Sequence, residues 1–175
     1  MGGMPADREL AALRGVLEAA SERVLITDHE GTILYVNPSF ERLTGFAKAD
    51  VIGKNPRILK SGKHSRRFYE QFWSILLEGY PFRSRFLNKK KDGTLYFEDQ
   101  VISPIKDQQG RITHFISVAT DVTDRVAVQK ALHGAEESLH HIQQVSRDCE
   151  ERLAGVKQEV DALLKELGRP PKYGA

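Results

Sequence analysis

The chain has 175 residues, 40% of them hydrophobic, and a formal net charge of +2 at neutral pH. That is enough for one domain of ordinary size plus an appendage, and too apolar for a disordered chain. No apolar run approaches a membrane span, MGGMPADREL lacks the form of a secretory signal, and one cysteine excludes an internal disulfide or a cysteine-rich metal site, so the expectation is a soluble, cytoplasmic protein.

Residues from about Asp7 to Ala20 are predicted helical, because Leu10, Leu13 and Leu17 fall on one stripe. The period then changes. VLITD (Val24 to Asp28) and TILYVN (Thr32 to Asn37) are short apolar strands around His29-Glu30-Gly31, where Gly31 supplies the positive φ of a tight turn. In NPSFERLTGF, Asn37 caps a short helix, Pro38 takes its first position and Gly45 ends it. The run through GKNPRILKSGKHS reads as irregular. SRRFYEQFWSILLEG is an amphipathic helix with Ser65 as cap, Phe68, Phe72, Ile75 and Leu76 as buried stripe, and Gly79 as stop. Three strands follow: Phe82 to Lys90, Thr94 to Ile105 and Arg111 to Thr120, joined by turns at Asp92-Gly93 and Asp107 to Gly110. Strands interrupted by one helical block, with hairpin links, imply an α+β fold: a five-stranded antiparallel sheet with short helices on one face.

Side-chain parity separates the faces of the last three strands. One carries Phe82, Ser84, Phe86 and Asn88, then Tyr96, Glu98, Gln100 and Ile102, then Phe115, Ser117 and Ala119. The other, with Leu95, Phe97, Val101, Ile116 and Val118, is more apolar and needs a cover, for which the N-terminal helix or a second subunit is available. Ser84, Asn88, Glu98, Gln100 and Ser117 point toward a cavity between sheet and helices. There they require a ligand, trapped water or one another as partners. Between Lys54 and Thr94, eleven basic residues face three acidic ones, a local +8 that leaves −6 elsewhere. This is either an anion site or a solvated face. Nothing interleaves basic and aromatic residues in the manner of a nucleic-acid surface.

After Thr123 apolar or small residues recur at alternating steps of four and three: Val128, Leu132, Ala135, Leu139, Ile142, Ser146, Cys149, Leu153, Val156, Val160, Leu163 and Leu167. Such a seam is that of a coiled coil, over a helix of roughly 65 Å with Asp121 as cap. The divisions read as an N-terminal amphipathic helix (1–20), a sensor domain (21–125), a coiled-coil helix (126–168) and a flexible tail (169–175) that opens on two prolines.

From about Ser21 to Arg125 the stretches ITDHEGTILYVNPSFERLTGF, GKNPRILKSGKH, LNKKKDGTLYF, ISPIKDQQGRITHFISV and DVTDR together resemble a PAS domain. The resemblance implies a small sensory and dimerisation module that signals through a flanking helix. Light-oxygen-voltage receptors of this family need a cysteine where this chain has Pro56, and Cys149 lies far off in another element, so thiol photoadduct chemistry is excluded. Asn88 stands where such domains bond the flavin ring, and Arg57 where they hold a phosphate. Glu98 replaces the next asparagine and Ala119 the strand-end glutamine. Redox-sensing PAS domains of nitrogen-fixation and methane-oxidation regulators are similar in the NPRIL loop, at Trp73 and at Asn88, and bind FAD. Haem-binding members use a histidine near the position of Phe68, whereas His64 lies before the helix in a lysine-rich loop. The cofactor stays open: the residues leave FAD or FMN as candidates and speak against haem. The candidate contacts are Asn88, Trp73, Arg57, Glu98, Gln100 and Ser117.

No enzyme is read from the chain. His140 and His141 lack the continuation of a histidine-kinase phosphorylation helix, and no Gly-rich nucleotide segment follows them. Two readings stand: a sensor whose ligand or redox state is relayed through the coiled coil, and a ligand-free scaffold for dimerisation or docking. A detached input domain of a histidine kinase or cyclase is a variant of the first. The expected partner is a second copy, met through the coiled coil and the outer sheet face, with room for a downstream signalling protein.

Overall fold

A computed structural model describes residues 6–173. The predicted residues 1–5 of the N-terminal segment and 174–175 of the tail lie outside the described range. The elements are α1 (Ala6–Ala19), β1 (Arg23–Asp28), β2 (Ile33–Val36), α2 (Pro38–Thr44), α3 (Lys48–Val51), a 3-10 turn (Pro56–Leu59), α4 (Arg66–Leu77), β3 (Phe82–Lys89), β4 (Leu95–Lys106), β5 (Ile112–Asp121) and α5 (Thr123–Glu166). The five strands form one antiparallel sheet in the order β2-β1-β5-β4-β3. The α+β architecture read from the sequence is therefore the one observed. One expectation is corrected: the stretch read as irregular contains the 3-10 turn, which Asn55 caps by accepting the Arg57 N–H at 3.0 Å, and α3 precedes it.

The chain divides into two compact units, one through Val126 and one from Ala127. In the first, two apolar clusters pack under the sheet. Leu25, Ile33, Val36, Phe40, Val51 and Leu59 form one, at the β1–β2 end. Leu76, Phe82, Phe86, Ile102 and Phe115 form the other, where α4 lies on β3 to β5. Asn37 ties the first together. Its Oδ1 accepts from Val24 N–H (2.9 Å) and Phe40 N–H (3.1 Å), and its Nδ2 donates to the carbonyls of Leu17 (3.1 Å) and Glu22 (2.9 Å). One fully satisfied side chain thus joins α1, the start of β1 and the first turn of α2.

The outer sheet face stays partly bare. Val118 is 38% exposed and Leu95 42%, while Leu10 and Leu13 of α1 are exposed as well. α1 therefore does not provide the cover the sequence called for. The second unit is the long helix with its seam residues exposed in the single chain except for the partly buried Val160, and its end turns back: Asp161 Oδ1 accepts from the N–H groups of Lys172 (2.7 Å) and Tyr173 (3.1 Å).

β3 is an edge strand, and the loop before α4 covers it. Lys60 bridges to Asn88, the Ser61 hydroxyl donates to the Leu87 carbonyl, and His64 Nε2 accepts the Leu87 N–H at 2.8 Å. Covering an edge in this way removes a template for unwanted strand pairing. His64 is thus half-buried, stacked on Phe68 at 4.3 Å, rather than solvated as its loop position suggests. Burial lowers its pKa below the ordinary 6.5. Only the neutral ring can accept the Leu87 N–H, so the unfolded chain takes up the proton first as pH falls. The His64 contribution is complete above pH 6.5 and declines below it. The other groups whose pKa the fold shifts have ordinary values near 4, 10 or higher, outside this window. Urea unfolding should show stability falling between pH 6.5 and 5, and His64→Gln, whose amide oxygen can take the same N–H, should flatten that decline. An unchanged slope in the variant would assign the dependence elsewhere.

Candidate functional site

A cavity of about 430 Å³ opens between the sheet and the segments over it. Its size lies within the range of small-molecule pockets. The inner faces of β1, β3, β4 and β5 form its floor, Leu59, Tyr69, Phe72, Trp73 and Leu76 line the opposite side, and Glu30, Gly31, Asn55, Pro56 and Arg57 come from the two loops beside them. All six residues singled out from the sequence line this one cavity: Arg57, Trp73, Asn88, Glu98, Gln100 and Ser117. Ser84, which parity placed on the same face, is only partly buried and does not line it.

The polar part of the floor is a closed network around Glu98, which is fully buried. Arg23 grips its carboxylate with Nε on Oε2 and Nη2 on Oε1, both at 2.9 Å. Asn88 Nδ2 donates to Oε1 at 2.7 Å. The Gln100 amide is satisfied when its nitrogen donates to Oε1 (3.2 Å) and its oxygen accepts from Arg23 Nη2 (3.1 Å) and the Ser117 hydroxyl (2.6 Å). Four donors thus meet the roughly four acceptor positions of a carboxylate. Paired in register with Asn88 is Tyr96, whose buried hydroxyl lies beside the Asn88 amide; burial, then the Glu98 charge, push its pKa far above the ordinary tyrosine range, against a smaller opposing effect of the Asn88 amide.

Sequence reasoning missed Arg23, the cation that makes the network stable. The signal was present: beginning β1 one residue earlier puts Arg23 on the face of Leu25 and Thr27. The register pairs Arg23 with Ala119 and Ala119 with Gln100. The guanidinium must cross β5 to reach β4, about 10 Å over two strand spacings, and a small residue at 119 leaves it the path. Asn55 was missed as well. Its Oδ1 accepts from Arg57 N (3.0 Å) and Nε (3.2 Å), and its Nδ2 donates to the Gly31 carbonyl at 3.1 Å, so it fastens the β1–β2 turn to the 3-10 turn and sets the Arg57 side chain. Gly31 has φ 85°, and a Cβ there would lie 3.0 Å from Asn55 Nδ2, so this position suits only glycine.

Trp73 is 40% exposed, with its ring 6.1 Å from Phe115, so one of its faces remains open to solvent. The walls between Asn88 and Arg57 are aromatic and aliphatic. The arrangement fits a flat ring held by an acceptor deep inside, with an anionic tail near Arg57 and Lys60. Pro56 lines the cavity without any nucleophile. Among the described residues no group of three or more His, Cys, Asp or Glu is placed to hold a metal ion, and no helix is long and apolar enough to cross a membrane.

A family model described as the PAS fold matches residues 11–122. A nitrogen fixation regulatory protein of Klebsiella oxytoca is 33% identical over 117 residues, 67% of this chain and 24% of that protein. The chain therefore spans about a quarter of that relative's length. The solved structure of an RNA-binding light-oxygen-voltage receptor superposes with TM-score 0.69 at 29% identity, over 80% of this chain and 40% of that one. A light-oxygen-voltage domain studied with a flavin analogue superposes at 0.59 and 27% identity, over 73% of this chain and 95% of that one.

Removing one partner of a buried ion pair strands the other charge, at a cost of about 3–5 kcal/mol, whereas an apolar replacement of both is near neutral. Arg23→Met should lower unfolding stability by that amount, and Arg23→Met with Glu98→Leu should restore most of it. A double-variant loss equal to the sum of the losses of Arg23→Met and Glu98→Leu, measured by urea unfolding, would show that the pair is not coupled.

Proposed function

The chain belongs to the PAS family, and from that premise we propose that it is a sensory module binding a flavin, FAD or FMN, in the cavity and relaying its state as a dimer through α5. The observation that carries the ligand is one arrangement: a cavity lined by the buried Asn88 amide, whose N–H is taken by Glu98, by the aromatic rings of Tyr69, Phe72 and Trp73, and by Arg57, which Asn55 holds. The likeness to flavin-related light-oxygen-voltage structures and to a nitrogen fixation regulator supports it. A bound flavin would supply a redox-active ring. Asn88 would hold its polar edge, Phe72 and Trp73 would flank it, and Arg57 and Lys60 would favour its phosphates. Without a thiol at position 56, no covalent adduct is expected there.

The relay reading rests on β4. Glu98 faces the cavity, while its neighbours hold the entry to α5. Phe97 N–H donates to Thr123 Oγ1 (3.0 Å), the Phe97 carbonyl accepts from Val122 N–H (2.9 Å), and Asp99 pairs with Arg125 at 2.7 Å and with Arg85 at 2.7 Å. A second reading, the ligand-free scaffold, draws on a different observation: the network around Glu98 is satisfied by protein groups alone and does not require a ligand. Whatever larger activity the relatives carry outside the matched segment is an open proposal for any longer form of this protein.

Titration of FAD and FMN into cofactor-free protein tests the ligand. Leucine at 88 would leave the ring edge unpaired at a cost of about 1–3 kcal/mol, so Asn88→Leu should bind roughly tenfold to hundredfold more weakly. No binding to the wild type at micromolar concentration would favour the scaffold.

The dimer reading draws on the helix. Leu132, Ile142, Leu153 and Leu163 are each more than half exposed in the single chain, on an unbroken seam that contains Cys149. In a parallel, in-register pair the two copies of Cys149 would face each other within disulfide reach. Mild oxidation should give a covalent dimer that Cys149→Ser abolishes, and truncation after Arg125 should weaken association. A full-length monomer by sedimentation at micromolar concentration would remove the dimer from this reading.

A further inference from the structure

We propose that the Arg23–Glu98 pair is the specificity determinant of the cavity: by holding the amide N–H of Asn88 on Glu98, it presents the Asn88 carbonyl oxygen to the ligand and selects flat heterocycles that carry an N–H donor on the edge they bury there. The inference rests on the flavin reading of the same cavity; it adds Arg23 and gives Glu98, a candidate contact from the sequence, an indirect role instead. Both are positioning residues.

An amide side chain can turn over and exchange oxygen for nitrogen, so on its own Asn88 could greet either a donor or an acceptor. Here it cannot turn freely. Both carboxylate oxygens of Glu98 already accept from Arg23, so an amide oxygen turned toward it would meet another oxygen at the 2.7 Å separation that the N–H now spans. Gln100 is locked in the same sense, with its nitrogen on Glu98 and its oxygen on Arg23 and Ser117. The pair thus fixes the polarity of two amides at once. The guanidinium itself reaches Glu98 only because Ala119 lies between them in the sheet register, so Arg23, Glu98 and Ala119 act as one unit. A ring whose edge offers an imide, an N–H between two carbonyls, matches an inward-facing amide oxygen. A ring with only acceptors on that edge would leave both sides unpaired.

The probes are riboflavin, which carries the imide N–H, and N3-methylriboflavin, which has lost it. Each is titrated by fluorescence into the full chain. The wild type should prefer riboflavin by roughly tenfold to hundredfold. In Arg23→Met/Glu98→Leu, whose folding is checked by thermal unfolding, Asn88 is free to turn and the preference should fall to within about threefold. Arg23→Lys, which keeps the charge, should retain most of the preference. A wild type that binds both probes equally would overturn the proposed orientation without any variant. A folded double variant with the wild-type preference would show the pair to be structural only. A wild type that binds neither these probes nor FMN or FAD would overturn the flavin reading and this inference with it, a result distinct from the other two because no selectivity could be measured.

Discussion

A guanidinium and a carboxylate buried together under the sheet constrain everything around them. Arg23 is 2% exposed and Glu98 is fully buried. Two charges out of water are tolerated only if their geometry is good and their remaining positions are filled. The fold meets that demand with parts from four strands: Arg23 from β1, Asn88 from β3, Glu98 and Gln100 from β4 and Ser117 from β5. Because each strand supplies a member, a slip of one residue in any pairing would turn a charged or amide side chain to the wrong face. The pair therefore specifies register more than it adds stability.

The apolar clusters on either side take up the complementary task. Ile33, Val36, Phe40 and Val51 hold the β1–β2 end, while Phe82, Phe86 and Phe115 meet α4 at the other. Neither cluster spans the middle, where the polar floor lies, so a hollow persists between them. The 3-10 turn and the loop from Lys60 to Ser65 close over part of it and also satisfy the β3 edge through Leu87. Leu59 seats the turn in the first apolar cluster, and hydrogen bonds hold the loop that follows it.

Much of the fold was legible because its signals are local. Gly31, Asn37, Pro38, Gly45, Ser65 and Gly79 act where their backbone and capping chemistry placed them, and period-2 alternation sorted β3, β4 and β5 into two faces. What stayed hidden is nonlocal. Arg23 and Glu98 are 75 residues apart, and nothing near either one announces the other. His64 looked solvated because its partner, the Leu87 N–H, lies on a strand 23 residues later. Asn55 reads as a loop residue until the β1–β2 turn is brought beside it. Cavity-lining positions could be assigned by parity and resemblance. The direction in which each amide donates could not, since that depends on the charge opposite.

β4 is where these levels meet. Alternation alone puts Glu98 on the cavity side, and leaves Phe97 and Asp99 to hold Val122, Thr123 and Arg125 at the start of α5. A pleated strand cannot rotate one residue without moving its neighbours, because all three share the same two peptide planes. β5 leads directly into α5, and this short run of β4 beside it both supplies Glu98 to the cavity and holds the first residues of the helix.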